Sequence, residues 1–190
     1  METKENRQYK YVLIFWALLT WSPTLLKAHL YYSDDTSTRK TYNQALFLWG
    51  EERFDESLHL FKTITQQNPD FLEAFKSIVI LHKKMDRLDE ALQYLQDYNQ
   101  GAIIKTGSSY GLSVYHLEKK SYQEAEKILK ELITHHKTHY MLYGLLVDCY
   151  HASSQLSSCE QFLHKRLKVD SLNLSIYYAL GYLKIIDQEY

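Results

Sequence analysis

Residues that form tight turns are scarce in this chain, which has six glycines and two prolines among 190 residues. All-β folds need many such turns, and the turns depend on these two residue types. The two cysteines, Cys149 and Cys159, are too few for a disulfide framework, and they are either buried thiols or one bridge in an exported chain. With 45% hydrophobic residues, the composition favours an all-α globular fold.

A strong charge of one sign is also lacking, since the formal net charge is −1 at pH 7. Domains that bind nucleic acid usually carry a strongly basic face. The sequence contains no phosphate-binding loop, no dinucleotide glycine fingerprint and no Cys-x-x-Cys or His-Glu-x-x-His motif. We therefore expect no nucleic-acid partner, no cofactor and no enzymatic activity.

The N-terminal segment differs in composition from the rest. Three basic residues precede an apolar run at residues 11–21, an order typical of secretory signals and too short for a comfortable membrane span of about 20 residues. We predict that residues 1–28 are a cleaved signal peptide or an uncleaved anchor that contacts the membrane through residues 11–26. A helix packed on the remainder is the third alternative. Residues 29–38 are predicted to be a linker.

A repeat of 34 residues occupies the rest of the chain. Four segments share an aromatic residue or Leu, then a small residue three positions later and a large apolar residue four positions after that. In the first three segments, acidic residues between the first two positions suit the first turn of a helix, where they interact favourably with its dipole. The small residues, each 34 positions after the last, are Ser57, Ala91, Ala125 and Cys159.

The first halves of the units follow the same register except in the first unit, which has Thr41 and Gln44 at the aromatic and Leu positions. Thirteen residues before three of the small residues stand Ile78, Leu112 and Leu146, and one further period gives Leu180, followed by Gly181. The pattern resembles the tetratricopeptide repeat, whose signature is aromatic-x2-Leu-Gly-x2-Tyr, then Ala-x3-Phe, then Pro. Phe61 and Pro69 match the last two signature positions, whereas the glycine is kept only at Gly181.

This resemblance implies an all-α, right-handed α-α superhelix of about four helix pairs and a final helix. The solenoid is predicted to cover residues 39–190. Its units and last helix are predicted at residues 38–71, 72–105, 106–139, 140–173 and 174–187.

The resemblance also implies a concave groove lined by the first helix of each pair. Helical spacing then predicts an apolar and aromatic surface, and such surfaces commonly bind proteins. Packing of these side chains against the N-terminal segment is the alternative. The predicted groove residues are Tyr42, Leu46, Trp49, Ile80, Tyr110, Val114, Leu117, Leu145, Tyr178 and Tyr182.

The sequence therefore predicts a non-catalytic scaffold or adaptor that binds an apolar or amphipathic segment of a partner protein. The family resemblance suggests a bacterial envelope, secretion or pilus context, with the chain exported or membrane-anchored and less favourably cytoplasmic. The alternatives are a cytosolic chaperone for a secreted substrate and a structural protein that self-associates through its apolar last helix.

A histidine cluster offers a third class of function. His135 and His139 are four positions apart, so on a helix they could bind one metal ion, and His136 lies between them. The cluster falls where the third unit joins the fourth. We interpret it as a solvated turn and predict no metal site.

Overall fold

A computed structural model describes residues 36–100 and 105–188 of the chain. These residues form nine α-helices and no strand, which confirms the predicted all-α class. The signal or anchor at residues 1–28 and most of the predicted linker lie outside the described residues. The helices are α1 Thr36–Gly50, α2 Phe54–Gln67, α3 Leu72–Lys84, α4 Leu88–Tyr98, α5 Thr106–Glu118, α6 Tyr122–His135, α7 Tyr140–Ala152, α8 Leu156–Val169 and α9 Leu174–Gln188.

The helices alternate as first and second members of antiparallel pairs. The second helices begin at Phe54, Leu88, Tyr122 and Leu156, at intervals of 34 residues. From α3 onward the first helices also begin 34 residues apart. Helix α1 begins at Thr36, so the last three residues of the predicted linker are helical. Within the described residues, no helix is long and apolar enough to cross a membrane.

The turn inside each pair repeats one backbone geometry. One residue of each turn has a positive φ near 60°, and none of the four is glycine. In each of these four turns, the N–H of the residue after the positive-φ residue donates to a carbonyl five positions earlier, as from Arg53 to Leu48 at 2.9 Å. These features are those of a Schellman C-cap. The positive-φ residues are Glu52, Asp86, Lys120 and Ser154, each 34 positions from the last.

The first cap offers a stability test. In the left-handed region a side chain costs free energy that glycine avoids. We expect Glu52→Gly to raise the free energy of unfolding by about 0.5–1 kcal/mol, measured by urea denaturation. The neighbouring Glu51→Gly should lower it by a few tenths of a kcal/mol, because it only loosens the unfolded chain. A lower stability for Glu52→Gly than for Glu51→Gly would contradict this interpretation.

The core is formed between the stacked pairs. One apolar cluster joins α1, α2 and α3, and a larger one runs from α3 to α9. The small residues at the repeat positions, Ser57, Ala91, Ala125 and Cys159, are all fully buried. Cys149 and Cys159 are buried free thiols, and burial raises their pKa values to about 11 and about 12. In the structure the two cysteines are therefore buried thiols, and they do not form the alternative disulfide bridge.

The first helices stand side by side, with α3 against α5, α5 against α7 and α7 against α9. Polar side chains connect neighbours one period apart. The Tyr42 hydroxyl lies 3.0 Å from Ser77 Oγ, and the Tyr182 hydroxyl donates to Asp148 at 2.6 Å. Lys83 pairs with Glu118 between α3 and α5. These contacts hold the first helices in register, and they position the candidate site.

Candidate functional site

A pocket of about 400 Å³ opens on the first helices of the second, third and fourth units. We call it the central pocket. Its walls come from α3, α5 and α7, with further contributions from the turn after α5 and the start of α6. The lining residues are Lys76, Ile80, Lys83, Val114, Leu117, Glu118, Lys120, Tyr122, Leu145, Asp148 and Ala152.

Four of the predicted groove residues meet in this pocket. Ile80 of α3, Val114 and Leu117 of α5, and Leu145 of α7 all line it. They stand on three different helices, and the repeat places them on the same side of each. Ile80 and Leu117 are half-buried, which leaves part of each side chain open to a ligand. The central pocket therefore has an apolar centre built from residues that helical spacing groups together.

The exposure expected at three predicted residues is not found. Tyr110 is 2% exposed, Val114 1% and Leu145 4%. Val114 and Leu145 form the buried floor of the central pocket, whereas Tyr110 does not line it. Burial raises the pKa of the Tyr110 hydroxyl. Tyr110 is thus a core residue, because neighbouring helices cover the face of α5 on which helical spacing placed it.

The predicted residues of α1 lie outside the central pocket. Tyr42 is half-buried, with its ring centroid 5.5 Å from that of Phe61. Trp49 is also half-buried and meets Phe61 edge-on at 6.2 Å. Leu46 is more open, at 40% exposed. Tyr42 and Trp49 therefore belong partly to the core between α1 and α2.

The predicted residues of α9 form a separate aromatic group. The rings of Tyr178 and Tyr182 are stacked, with centroids 6.3 Å apart, and Tyr140 meets Tyr178 edge-on at 5.5 Å. Tyr178 is 42% exposed and Tyr182 is half-buried. Neither lines the central pocket.

Charged side chains surround the apolar centre. Lys83 is neutralised by Glu118, and Asp148 accepts the hydrogen bond from Tyr182. Among the described residues, Lys76 and Lys120 have no ion-pair partner. The central pocket therefore offers apolar contact beside two ammonium groups, an arrangement suited to an amphipathic ligand with an acidic residue.

Several lining residues were not among the predicted site residues. Among them, Glu118 lies in the last turn of α5, Lys120 in the turn that follows, and Tyr122 at the start of α6. The prediction considered only the inward faces of first helices. A charge pattern in the sequence could have revealed Glu118. It is opposite in charge to Lys83 and stands 35 positions after it, a spacing that brings the two residues together on the first helices of neighbouring units.

The histidines of the cluster make separate contacts. His136 Nε2 lies 2.9 Å from Thr106 Oγ1, and the His139 ring stacks on Tyr140 with centroids 6.0 Å apart. Across residues 36–100 and 105–188 there is no group of three or more His, Cys, Asp or Glu side chains that could hold a metal ion.

Comparison with known proteins gives distant relatives. No protein-family model matches the chain. It is 22% identical over 132 residues to ER membrane protein complex subunit 2-A of Xenopus laevis, and to subunit 2 of Xenopus tropicalis. Each match covers 68% of this chain and 44% of the relative. The chain thus spans less than half the length of the curated relatives it matches.

A solved structure is similar over nearly the whole chain. It is a tetratricopeptide repeat protein from Parabacteroides merdae, with a TM-score of 0.50 and 18% sequence identity. The similarity covers 97% of this chain and 69% of that protein. Together with the 34-residue spacing of its helices, this likeness shows that the chain has a helical-repeat fold of the tetratricopeptide type.

Proposed function

We propose that the chain is a non-catalytic scaffold that binds an amphipathic segment of a partner protein in the central pocket. The observation that carries this proposal is the meeting of Ile80, Val114, Leu117 and Leu145 in one pocket. Apolar side chains of a partner would fill the centre, and an acidic residue beside them would reach Lys76 or Lys120.

The distant relatives support a role within a larger assembly. Their name describes them as subunits of an ER membrane protein complex. By analogy, the partner of this chain is a fellow subunit of a multi-protein complex. The bacterial envelope, secretion or pilus context has no support from these relatives, which come from two Xenopus species, and it is not part of the proposal.

A peptide selection tests the pocket directly, with a library of ligands in place of the partner protein. In a displayed library of random peptides, each peptide of about 16 residues can span roughly four helical turns. We expect the intact chain to enrich peptides with apolar residues at helical spacing and at least one acidic residue. The double variant Ile80→Gln, Leu117→Gln should bind the enriched peptides about tenfold more weakly or worse, measured by fluorescence anisotropy.

The control applies the same chemical change elsewhere. Leu92 of α4 and Ile128 of α6 are also half-buried, and neither lines the central pocket. The double variant Leu92→Gln, Ile128→Gln should keep the affinity of the intact chain. Equal binding by all three proteins, or an equal loss in both variants, would overturn the proposed site.

A further inference from the structure

The turn between α8 and α9 presents two apolar side chains to solvent. Val169 ends α8 and is 87% exposed, and Leu172 stands two residues before α9 and is 86% exposed. Among the described residues they are the two most exposed of the large apolar side chains. We call them the turn pair. Neither lines the central pocket, so this surface is separate from the candidate site.

The repeat shows that this exposure is a property of the register position. The equivalent residues of the first and third units are also exposed, although further helix pairs follow both units. A following unit therefore leaves these positions open, and in those two units the residues are polar. The equivalents in the second unit belong to residues 101–104, which lie outside the described ranges. The polar equivalents are Gln67 and Asp70 in the first unit and His135 and Thr138 in the third.

Buried polar side chains hold the turn between α8 and α9 in this shape. The Asn173 side-chain amide donates to Asp170 Oδ2 at 3.0 Å and to the carbonyl of Lys137 at 2.8 Å. Ser175 Oγ donates to the carbonyl of Thr138 at 2.6 Å. Asn173 and Ser175 are 4% and 1% exposed. The turn is therefore fixed to the preceding turn between α6 and α7, and the turn pair is held outside the core.

Three exposed lysines accompany the turn pair. Lys165 lies one helical turn before it on α8, Lys168 adjoins it, and Lys137 is in the preceding turn to which it is fixed. Within the described ranges, none of the three has an ion-pair partner. Of the nearby acidic residues, Asp170 accepts the hydrogen bond from Asn173. The turn therefore combines open apolar side chains with unpaired positive charge.

This combination fits a lipid surface better than a protein partner. A stable protein interface buries about 800 Å² on each side, and two apolar side chains on one turn supply only a small part of that area. A membrane needs no matching surface, because its hydrocarbon accepts apolar side chains of any shape. Its anionic headgroups also attract lysines that lie close to the surface. The unpaired lysines therefore indicate an anionic membrane.

We propose that the turn between α8 and α9 is a contact site for an anionic lipid surface. Val169 and Leu172 enter the boundary between the headgroups and the acyl chains, as the apolar residues of peripheral membrane proteins do. The ammonium groups of the three lysines lie at the lipid phosphates. This inference does not depend on the central pocket, which is built from other residues.

A fluorophore on the turn tests this contact in the full chain. Leu172→Cys is labelled with nitrobenzoxadiazole, whose emission shifts to the blue in an apolar environment, and the native thiols are buried. We expect this shift on vesicles of phosphatidylcholine and phosphatidylserine in equal parts, with quenching by spin-labelled lipid. On vesicles of phosphatidylcholine alone the label should stay in water. Asp70→Cys, labelled at the equivalent position of the first unit, is the control and should stay in water on both.

Charge reversal tests the part played by the lysines. In the labelled Leu172→Cys chain, Lys168→Glu should raise the concentration of anionic lipid that gives half of the blue shift about tenfold. Lys127→Glu is the matched control, because Lys127 is also exposed but lies in the middle of α6, and it should leave that concentration nearly unchanged. Equal effects of the two reversals would overturn the proposal. So would a label at residue 172 that stays in water on the anionic vesicles, or equal shifts at residues 172 and 70 or on both kinds of vesicle.

Discussion

Gly107→Ala should lower the free energy of unfolding by about 3 kcal/mol, which would make it one of the most damaging single methyl additions in this chain. Gly107 is buried near the start of α5. A Cβ built there would lie 2.2 Å from the carbonyl oxygen of Pro69 and 2.2 Å from Cε2 of Phe75. The Phe75 ring is fully buried and meets Tyr98 edge-on at 5.1 Å. Neither neighbour can move without disturbing the packing between units.

Gly144→Ala is the matched control. Gly144 is also buried inside a first helix, but a Cβ there would lie 3.6 Å from Cε1 of Tyr178, an ordinary contact. Alanine is the better helix former, so this variant should raise the free energy of unfolding by about 0.5–1 kcal/mol. Urea denaturation of both variants gives the comparison. If both variants changed the free energy of unfolding by the same amount and in the same direction, helix propensity, and not the space between units, would determine the effect of replacing these glycines.

The repeat made most of the fold predictable. The residues Ser57, Ala91, Ala125 and Cys159 recur every 34 positions because each lets a second helix approach its first, and all four are buried. The close approach at Gly107 was not predictable. The same register position holds Glu73, Met141 and Ser175 in other units, so the pattern gives no reason for glycine there. Only the contact with Pro69 and Phe75 explains it.

Helical spacing predicts which residues of the first helices face the same side, but it does not predict how deeply each of them is buried. Helical spacing grouped Ile80, Val114, Leu117 and Leu145 on the inward faces of the first helices, and these four residues line one pocket. It could not distinguish the buried Tyr110 from the half-buried Leu117, because burial depends on how closely the neighbouring first helix packs.

A second large effect is expected at His82, where His82→Leu should raise the free energy of unfolding by about 2 kcal/mol near neutral pH. His82 lies in α3 and is 1% exposed. Neither of its ring nitrogens has a hydrogen-bond partner in the part of the chain that the structure describes. The nearest acidic group, the Glu90 carboxylate, is 3.9 Å from Nδ1. Leucine removes two unsatisfied polar atoms at similar size. It already occurs at the same register position in α1, as Leu48.

The gain in the free energy of unfolding from His82→Leu should increase as the pH falls below 6.5. Burial holds the pKa of His82 below its ordinary value of 6.5, and the nearby Lys62 lowers it further. Below pH 6.5 the unfolded chain therefore takes up a proton that the folded chain does not. The native protein loses stability as the pH falls from 6.5 toward the lowered pKa, since the unfolded state binds more protons. His82→Leu abolishes this contribution. The pKa of His139 is lowered by burial too, but His139 is present in both proteins and cancels in the difference.

Chemical denaturation of both proteins at pH 8, 7, 6 and 5 measures this difference. The difference in the free energy of unfolding should be nearly constant between pH 8 and 7 and then widen at each lower pH, because protonation of His82 in the unfolded chain is the pH-dependent difference between the two proteins. His116→Leu is the control. His116 holds the same register position one unit later but is half-buried, so water reaches its ring and the gain should be small. A constant difference between the His82→Leu and native proteins down to pH 5 would show that His82 becomes protonated inside the fold. Glu90 would then act as its partner, and the two side chains would form an ion pair instead of an unsatisfied core histidine.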